Sequence, residues 1–141
     1  MKHYIKAPEY MDCRWEQDFK LRYIKNNFAK LERTKTFCIE TEETIAGFPD
    51  VMTLVSSNCV NLARFYEFKF SDRFGKIKFQ PTQPAFYKKN PEMQVTVIAY
   101  NKKTGVLHEF PASLIFDKRS NYKINPRAEV NLTNVEKEIR V

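Results

Sequence analysis

Three residues of this chain have the types and spacing to do chemistry together: Asp50, Glu67 and Lys69. They fall within "GFPDVMTLVSSNCVNLARFYEFKF", residues 47–70, where two strand-like runs flank the turn signal "SSN". Charge inside a strand-like run costs burial energy, so it needs either a solvated face or a role. Suppose Asp50–Val55 and Leu62–Phe70 pair as an antiparallel hairpin whose loop is centred between Asn58 and Cys59. The numbers of opposed residues then sum to 117, and Asp50 faces Glu67 with Cβ atoms about 4.5–5.5 Å apart. Strand periodicity puts Glu67 and Lys69 on one face and Tyr66, Phe68 and Phe70 on the other.

Two opposed carboxylates repel as anions and favour a divalent cation between them. A lysine beside them can orient a water or neutralise developing negative charge. This is the arrangement that metal-assisted phosphodiester hydrolysis needs, with magnesium polarising the scissile phosphate and lowering the pKa of the attacking water. The competing reading places Glu67 and Lys69 on a solvent-exposed strand face and leaves Asp50 capping a turn after Pro49.

The elements that must position these residues read as follows. Asp12 to about Arg33 lacks Gly and Pro and reads as a helix with Asp12 as N-cap. Its apolar stripes (Trp15, Phe19 and Tyr23; Leu21, Ile24, Phe28 and Leu31) lie nearly opposite, so the helix is either sandwiched or interrupted near Asn26-Asn27. Thr36–Ile45 alternates as a strand does and ends at Ala46-Gly47, before the hairpin. "SDRFGK", residues 71–76, is a turn or loop. A short helix follows with Thr82 as N-cap and Pro84 in its first turn, where a missing N–H costs nothing. Gln94–Tyr100 has the β-branched run of a strand buried on both faces. "NKKTG" turns the chain into the antiparallel edge strand Val106–Phe110. The composition turns polar after Phe116. The fold class is therefore α/β, a central mixed sheet flanked by helices in one domain over 1–141, with a core of about 12–117 and a polar arm over 118–141.

Composition narrows the partners. The 24 Lys and Arg outnumber the 17 Asp and Glu for a net charge of +7, which favours a polyanion such as nucleic acid. Lys76, Lys78, Lys88, Lys89, Lys102 and Lys103, with Lys118 and Arg119, interleave with Phe74, Phe79, Phe86 and Tyr87 and as a set suit a DNA groove, although each lysine alone reads more readily as solvated surface. Cys13, Cys38 and Cys59 are widely spaced and His3 and His108 are the only histidines, which argues against zinc. Ser56, Ser57 and Cys59 have no paired base, and no glycine-rich phosphate loop exists. There is no apolar run long enough to span a membrane and no signal-peptide pattern, so a reducing cytoplasm is expected.

The pattern Pro49-Asp50, Glu67-Phe68-Lys69 resembles the signature of the PD-(D/E)XK nuclease superfamily. With "KFQPTQPAFY" and "QVTVIAY" downstream, it most resembles the VRR-NUC and phage-type Holliday junction resolvase branch over roughly Trp15 to Tyr100. The resemblance implies a restriction-endonuclease-like core and an endonuclease dependent on Mg2+ or Mn2+. It also implies branched DNA as substrate, in phage recombination or repair, and a homodimer for paired nicks. Asp50, Glu67 and the Phe68 carbonyl would be metal ligands and Lys69 would activate the water. Gln83 would support them, with Gln80 as its substitute. The family often supplies a further glutamate from the first helix, a role that falls to Glu16, whose alternative is an exposed pair with Lys20; Glu42 and Glu43 are weaker candidates. Pro84 directly after Gln83 and the arm after Phe116 depart from the family pattern. The alternatives are a less selective nuclease on single strands or ends, and a non-catalytic DNA- or protein-binding module on the same fold.

Overall fold

A computed structural model describes residues 4–39, 47–58, 60–115 and 121–123. In chain order the elements are β1 (Tyr4–Lys6), α1 (Glu16–Asn26), β2 (Thr34–Cys38), β3 (Val51–Ser57), β4 (Val60–Ser71), β5 (Lys76–Lys78), α2 (Thr82–Lys89), β6 (Thr96–Asn101), β7 (Val106–Pro111) and β8 (Asn121–Lys123). All the strands join one mixed sheet in the order β1-β7-β6-β4-β3-β2, with β5 on β4 and β8 on β5. Among the described residues only β4 and β6 run parallel, joined by the crossover through α2. This is the expected mixed sheet flanked by helices.

Two hydrophobic clusters sandwich β4 and β6. On one face Phe19 and Tyr23 of α1 pack with Phe68, Ile98 and Tyr100. Phe19 is fully buried, with the rings of Tyr10, Tyr23, Phe68, Phe70 and Tyr100 all within 5.2–6.2 Å of its own. On the other face Tyr87 of α2 packs with Ile77, Phe79, Val97, Ala99 and Phe110. Residues of β6 thus alternate between two apolar layers, which explains its uninterrupted run of buried side chains.

Several boundaries differ from the sequence reading. The first helix is α1 alone. Trp15 in extended conformation is its N-cap, and Asp12 instead pairs with Arg22. The interruption falls at Asn27, after which Phe28–Lys30 forms a single 3-10 turn that buries Phe28. Trp15, Leu21 and Leu31 are exposed, because only the Phe19/Tyr23 stripe meets the sheet. The short helix begins at Thr82 itself, and Pro81 occupies the N-cap position. β7 is not an edge strand. β1, which has no alternating pattern long enough to be read from sequence, pairs with it through Tyr4↔His108, Ile5↔Leu107 and Lys6↔Val106. The second half of the expected Thr36–Ile45 strand, and the arm apart from β8, lie outside the described residues.

Placing β7 between β1 and β6 submerges His108. Its ring lies 5.9 Å from that of Tyr4, and its Nδ1 is buried without a hydrogen-bond partner. Burial pushes the imidazole pKa down from 6.5 to about 4. A base whose folded pKa is depressed stabilises the fold above its unfolded pKa, and that stability is lost as pH falls from 6.5 toward 4. Between pH 7 and pH 5 the wild type should lose about 2 kcal/mol through this group. His108→Gln should flatten that part of the urea-denaturation profile; an unchanged slope would show that His108 is protonated in the fold.

Candidate active site

The hairpin has the register deduced above. Val51↔Tyr66, Thr53↔Arg64, Val55↔Leu62 and Ser57↔Val60 are opposed pairs, each summing to 117. Carried one residue beyond the last observed pair, the same register would set Asp50 opposite Glu67, and one further, Pro49 opposite Phe68. Proline has no N–H to give, so the ladder cannot continue there and β3 begins at Val51. The backbone of Asp50 is nevertheless fixed, because its carbonyl accepts the N–H of Ile39 at 2.8 Å.

What the ladder leaves open on β4 is covered by carboxylates. The N–H of Phe68 donates to Asp50 Oδ2 at 3.5 Å, and the N–H of Phe70 donates to Glu16 Oε2 at 2.8 Å. At the very next residue β5 takes over the same strand, at Ser71↔Ile77. A notch therefore opens in this edge of β4, bounded by Asp50, Glu16 and β5. The N–H and C=O of one strand residue point to the same edge, so the Phe68 carbonyl looks into the notch as well.

Glu67 and Lys69 project onto the α2 face, and neither is on a solvated surface: Glu67 is 2% exposed and Lys69 9%. That excludes the reading of these two residues as an ordinary wet strand face. Glu67 Oε1 accepts a hydrogen bond from the Tyr87 hydroxyl at 3.1 Å, and the Lys69 ammonium lies 5.3 Å from the centre of the Phe79 ring. Burial, followed by the adjacent, hydrogen-bonded Asp50, raises the Glu67 carboxyl well above the usual carboxylate range; Lys69 and the Tyr87 hydroxyl offset this in part. The Tyr87 hydroxyl is itself raised, by burial and then by Glu67. Without a cation, burial and the neighbouring Asp50 therefore favour the neutral form of the Glu67 carboxyl.

Gln83 and Tyr87 stand one turn apart on α2, both buried. The Gln83 side chain does not face the lysine as a free donor: its Oε1 accepts the N–H of Gln80 at 2.9 Å and closes the turn that starts the helix. Gln80 takes part through its backbone. Tyr87 is the residue that the sequence reading missed as a site member. The signal was its position four residues after Gln83, on the same helical face.

Gly47 locks α2 against the Asp50 segment. Its φ is +88°, and a Cβ there would collide with the Thr82 carbonyl oxygen and come within 2.8 Å of Phe86 Cβ. The Phe48 ring then packs on Phe65 and Phe86 at 5.9 and 5.4 Å.

Of the other candidates, Glu16 is at the notch, on the opposite side of β4 from α2, and its carboxylate is engaged by the backbone rather than by Lys20. Glu42, Glu43, Lys118 and Arg119 lie outside the described residues. Lys76 and Lys78 are exposed on β5, and Lys102 and Lys103 sit in the β6–β7 turn beside the end of β4, with Lys102 5.1 Å from the Phe70 ring. Lys88 and Lys89 are exposed at the far end of α2. A cavity of about 740 Å³ lies along the opposite edge of β4, near Arg64, Asn90 and Gln94, and shares only the wall formed by Tyr66 and Tyr87 with this region.

Among the described residues no three His, Cys, Asp or Glu side chains converge as a ready-made metal cage. Asp50, Glu67 and the Phe68 carbonyl would offer hard oxygen donors only. That set suits an ion such as Mg2+, which keeps several waters and uses one or two carboxylates. No helix among the described residues is long and apolar enough to cross a membrane.

No family model and no curated protein matches this chain. Among solved structures it is similar to Hjc, a Holliday junction resolvase from the archaeal hyperthermophile Archaeoglobus fulgidus. The identity is 12% and the TM-score 0.49, over 80% of this chain and 87% of that one. A likeness at that distance does not reach the site, which stands on its own geometry.

Two stability measurements test this geometry. The raised carboxyl of Glu67 favours folding below its unfolded pKa, and that contribution is lost as pH rises through the folded value. In metal-free protein at alkaline pH, Glu67→Gln should therefore unfold at higher urea than the wild type, by about 1 kcal/mol or more; a lower midpoint would show that the carboxylate is a structural ion. Gly47→Ala should cost roughly 2 kcal/mol or more through its positive φ and the collision with α2. A neutral result would mean that the segment is not held against the helix.

Proposed function

We propose that the chain is a metal-dependent DNA endonuclease of the PD-(D/E)XK type, hydrolysing phosphodiester bonds at the notch in β4. The observation that carries this reading is the convergence of Asp50 and Glu67 at one strand edge, with a nearly buried lysine two residues along on the same face. A solvated strand pair does not require that arrangement, and burying it costs stability.

Asp50 and Glu67, with the Phe68 carbonyl, would hold Mg2+ or Mn2+. The ion would supply charge neutralisation at the scissile phosphate and a more acidic bound water. Lys69 is fixed by β4 and by the Phe79 ring, so its ammonium can orient the attacking water and stabilise charge on the phosphorane. Tyr87 keeps Glu67 aimed at the edge, and Gln83 sets the first turn of the helix that carries Tyr87. Glu16 holds the far wall of the notch by accepting the Phe70 N–H.

The substrate proposed is DNA, preferentially branched, in recombination or repair. The net charge of +7 and the lysines of β5 and of the β6–β7 turn support a polyanion beside the notch. Two symmetric nicks across a four-way junction would need a homodimer, since each chain has one notch. The placement in the VRR-NUC or phage-type branch rests on the sequence motif alone.

Cleavage of linear, flapped and four-way DNA should occur with magnesium and stop with chelator. Glu67→Ala and Asp50→Asn should abolish cutting with DNA binding retained, and Lys69→Ala should slow it by about 10²–10⁴-fold. Uncut DNA of all three forms, with magnesium or manganese and folded wild-type protein, would overturn the reading.

A further inference from the structure

Two large aromatic rings beside the notch are left in solvent. Trp15, the single tryptophan of the chain, is 60% exposed and Phe74 is 57% exposed, although both rings cost free energy to hydrate. Each carries a guanidinium over its ring: Arg14 lies 5.0 Å from the Trp15 ring centre and Arg73 4.7 Å from that of Phe74.

Both rings stand on fixed backbone. Trp15 is the extended N-cap of α1, with its N–H donated to Asp18 Oδ2 at 3.3 Å. The next residue, Glu16, is bonded to the Phe70 N–H at the notch. Phe74 sits in the tight turn between β4 and β5, where Asp72 Oδ1 accepts the N–H groups of Phe74 and Lys76, each at 2.9 Å. It is four residues past Phe70, so at most about 14 Å of chain separates them. The two arginine-backed rings thus flank the same end of β4, one from the helix and one from the turn.

We infer that Trp15 and Phe74 are stacking platforms for unpaired nucleobases, so that the site takes DNA with unpaired nucleotides next to the scissile phosphate. Bases inside a duplex have both faces covered by their neighbours and cannot use such platforms, whereas a flap, gap or splayed junction can. Stacking on an exposed ring tolerates any base, and the guanidinium on the ring adds a phosphate contact and a cation–π contribution. The inference rests on the nuclease reading only for where the strand lies relative to the notch.

The single tryptophan gives a direct reading. The full chain carrying Glu67→Gln, in chelator and at about 0.15 M salt, is titrated with an oligodeoxyadenylate of about ten nucleotides and with a hairpin duplex of equal phosphate number. Trp15 fluorescence and the anisotropy of labelled DNA are followed together. The single strand should quench Trp15 saturably and bind about tenfold tighter than the duplex. Trp15→Ala and Phe74→Ala should each weaken single-strand binding by about tenfold and duplex binding by no more than about twofold, while Trp15→Phe keeps most of the affinity. Absent quenching, equal affinity for the two forms, or alanine variants that weaken both equally would overturn it. Wild-type cleavage with magnesium is scored separately. Selective quenching without cleavage supports the platforms and sinks the nuclease reading; cleavage without quenching does the reverse.

Discussion

The organisation of this molecule depends on one interrupted strand edge. β4 is a long central strand, paired along one side with β3 and then, after a gap, with β5, while β6 runs along its other side. The ladder with β3 ends at Val51↔Tyr66, and the next residue in register with the open edge, Pro49, has no N–H to return to the Phe68 carbonyl. Exposed strand donors are costly when buried, so something must satisfy them. Here Asp50 and Glu16, from different elements, take the N–H groups of Phe68 and Phe70. The same vacancy that requires capping gathers acidic oxygen at one point of the sheet.

The two faces of β4 then divide the labour. Phe68 and Phe70 belong to the aromatic cluster that anchors α1, which brings Glu16 and the exposed Trp15 to the notch. Glu67 and Lys69 face α2, where Tyr87 supplies the hydroxyl that a buried carboxyl needs. Alternation along a single strand thus couples a hydrophobic anchor on one side to a costly polar group on the other. The cost is tolerated because the surrounding packing is dense: Phe79, Val97, Ala99 and Phe110 are all buried around that face. Keeping Glu67 out of water is also what makes it depend on Asp50, Tyr87 and any bound cation rather than on solvent.

Gly47 joins these features into one unit. It brings the chain that carries Asp50 close enough to α2 that no side chain fits between them, so the strand end and the helix cannot shift independently. Asp50, Gln83 and Tyr87 therefore share a frame although they lie on separate elements. Such coupling holds these groups in fixed relative positions.

The hairpin register was legible in the sequence only on the condition that the turn is centred between Asn58 and Cys59, as the observed pairs summing to 117 have it, and the buried run of β6 was legible because layers on both faces demand continuous apolar side chains. The pairing of charge types, Asp50, Glu67 and Lys69, was likewise written in the local pattern. The tertiary structure alone decided the rest. That Glu67 is buried depends on α2 folding over it from fifteen or more residues downstream, and Tyr87 becomes its partner only through that crossover. Trp15 reads as part of a core stripe, yet the helix starts one residue later and leaves it in solvent. β1 escapes notice because three residues carry too little periodicity, and it is the open edge of β7 that makes them a strand. Local patterns fix which residues can share a face; only long-range packing fixes which face is covered, and by what.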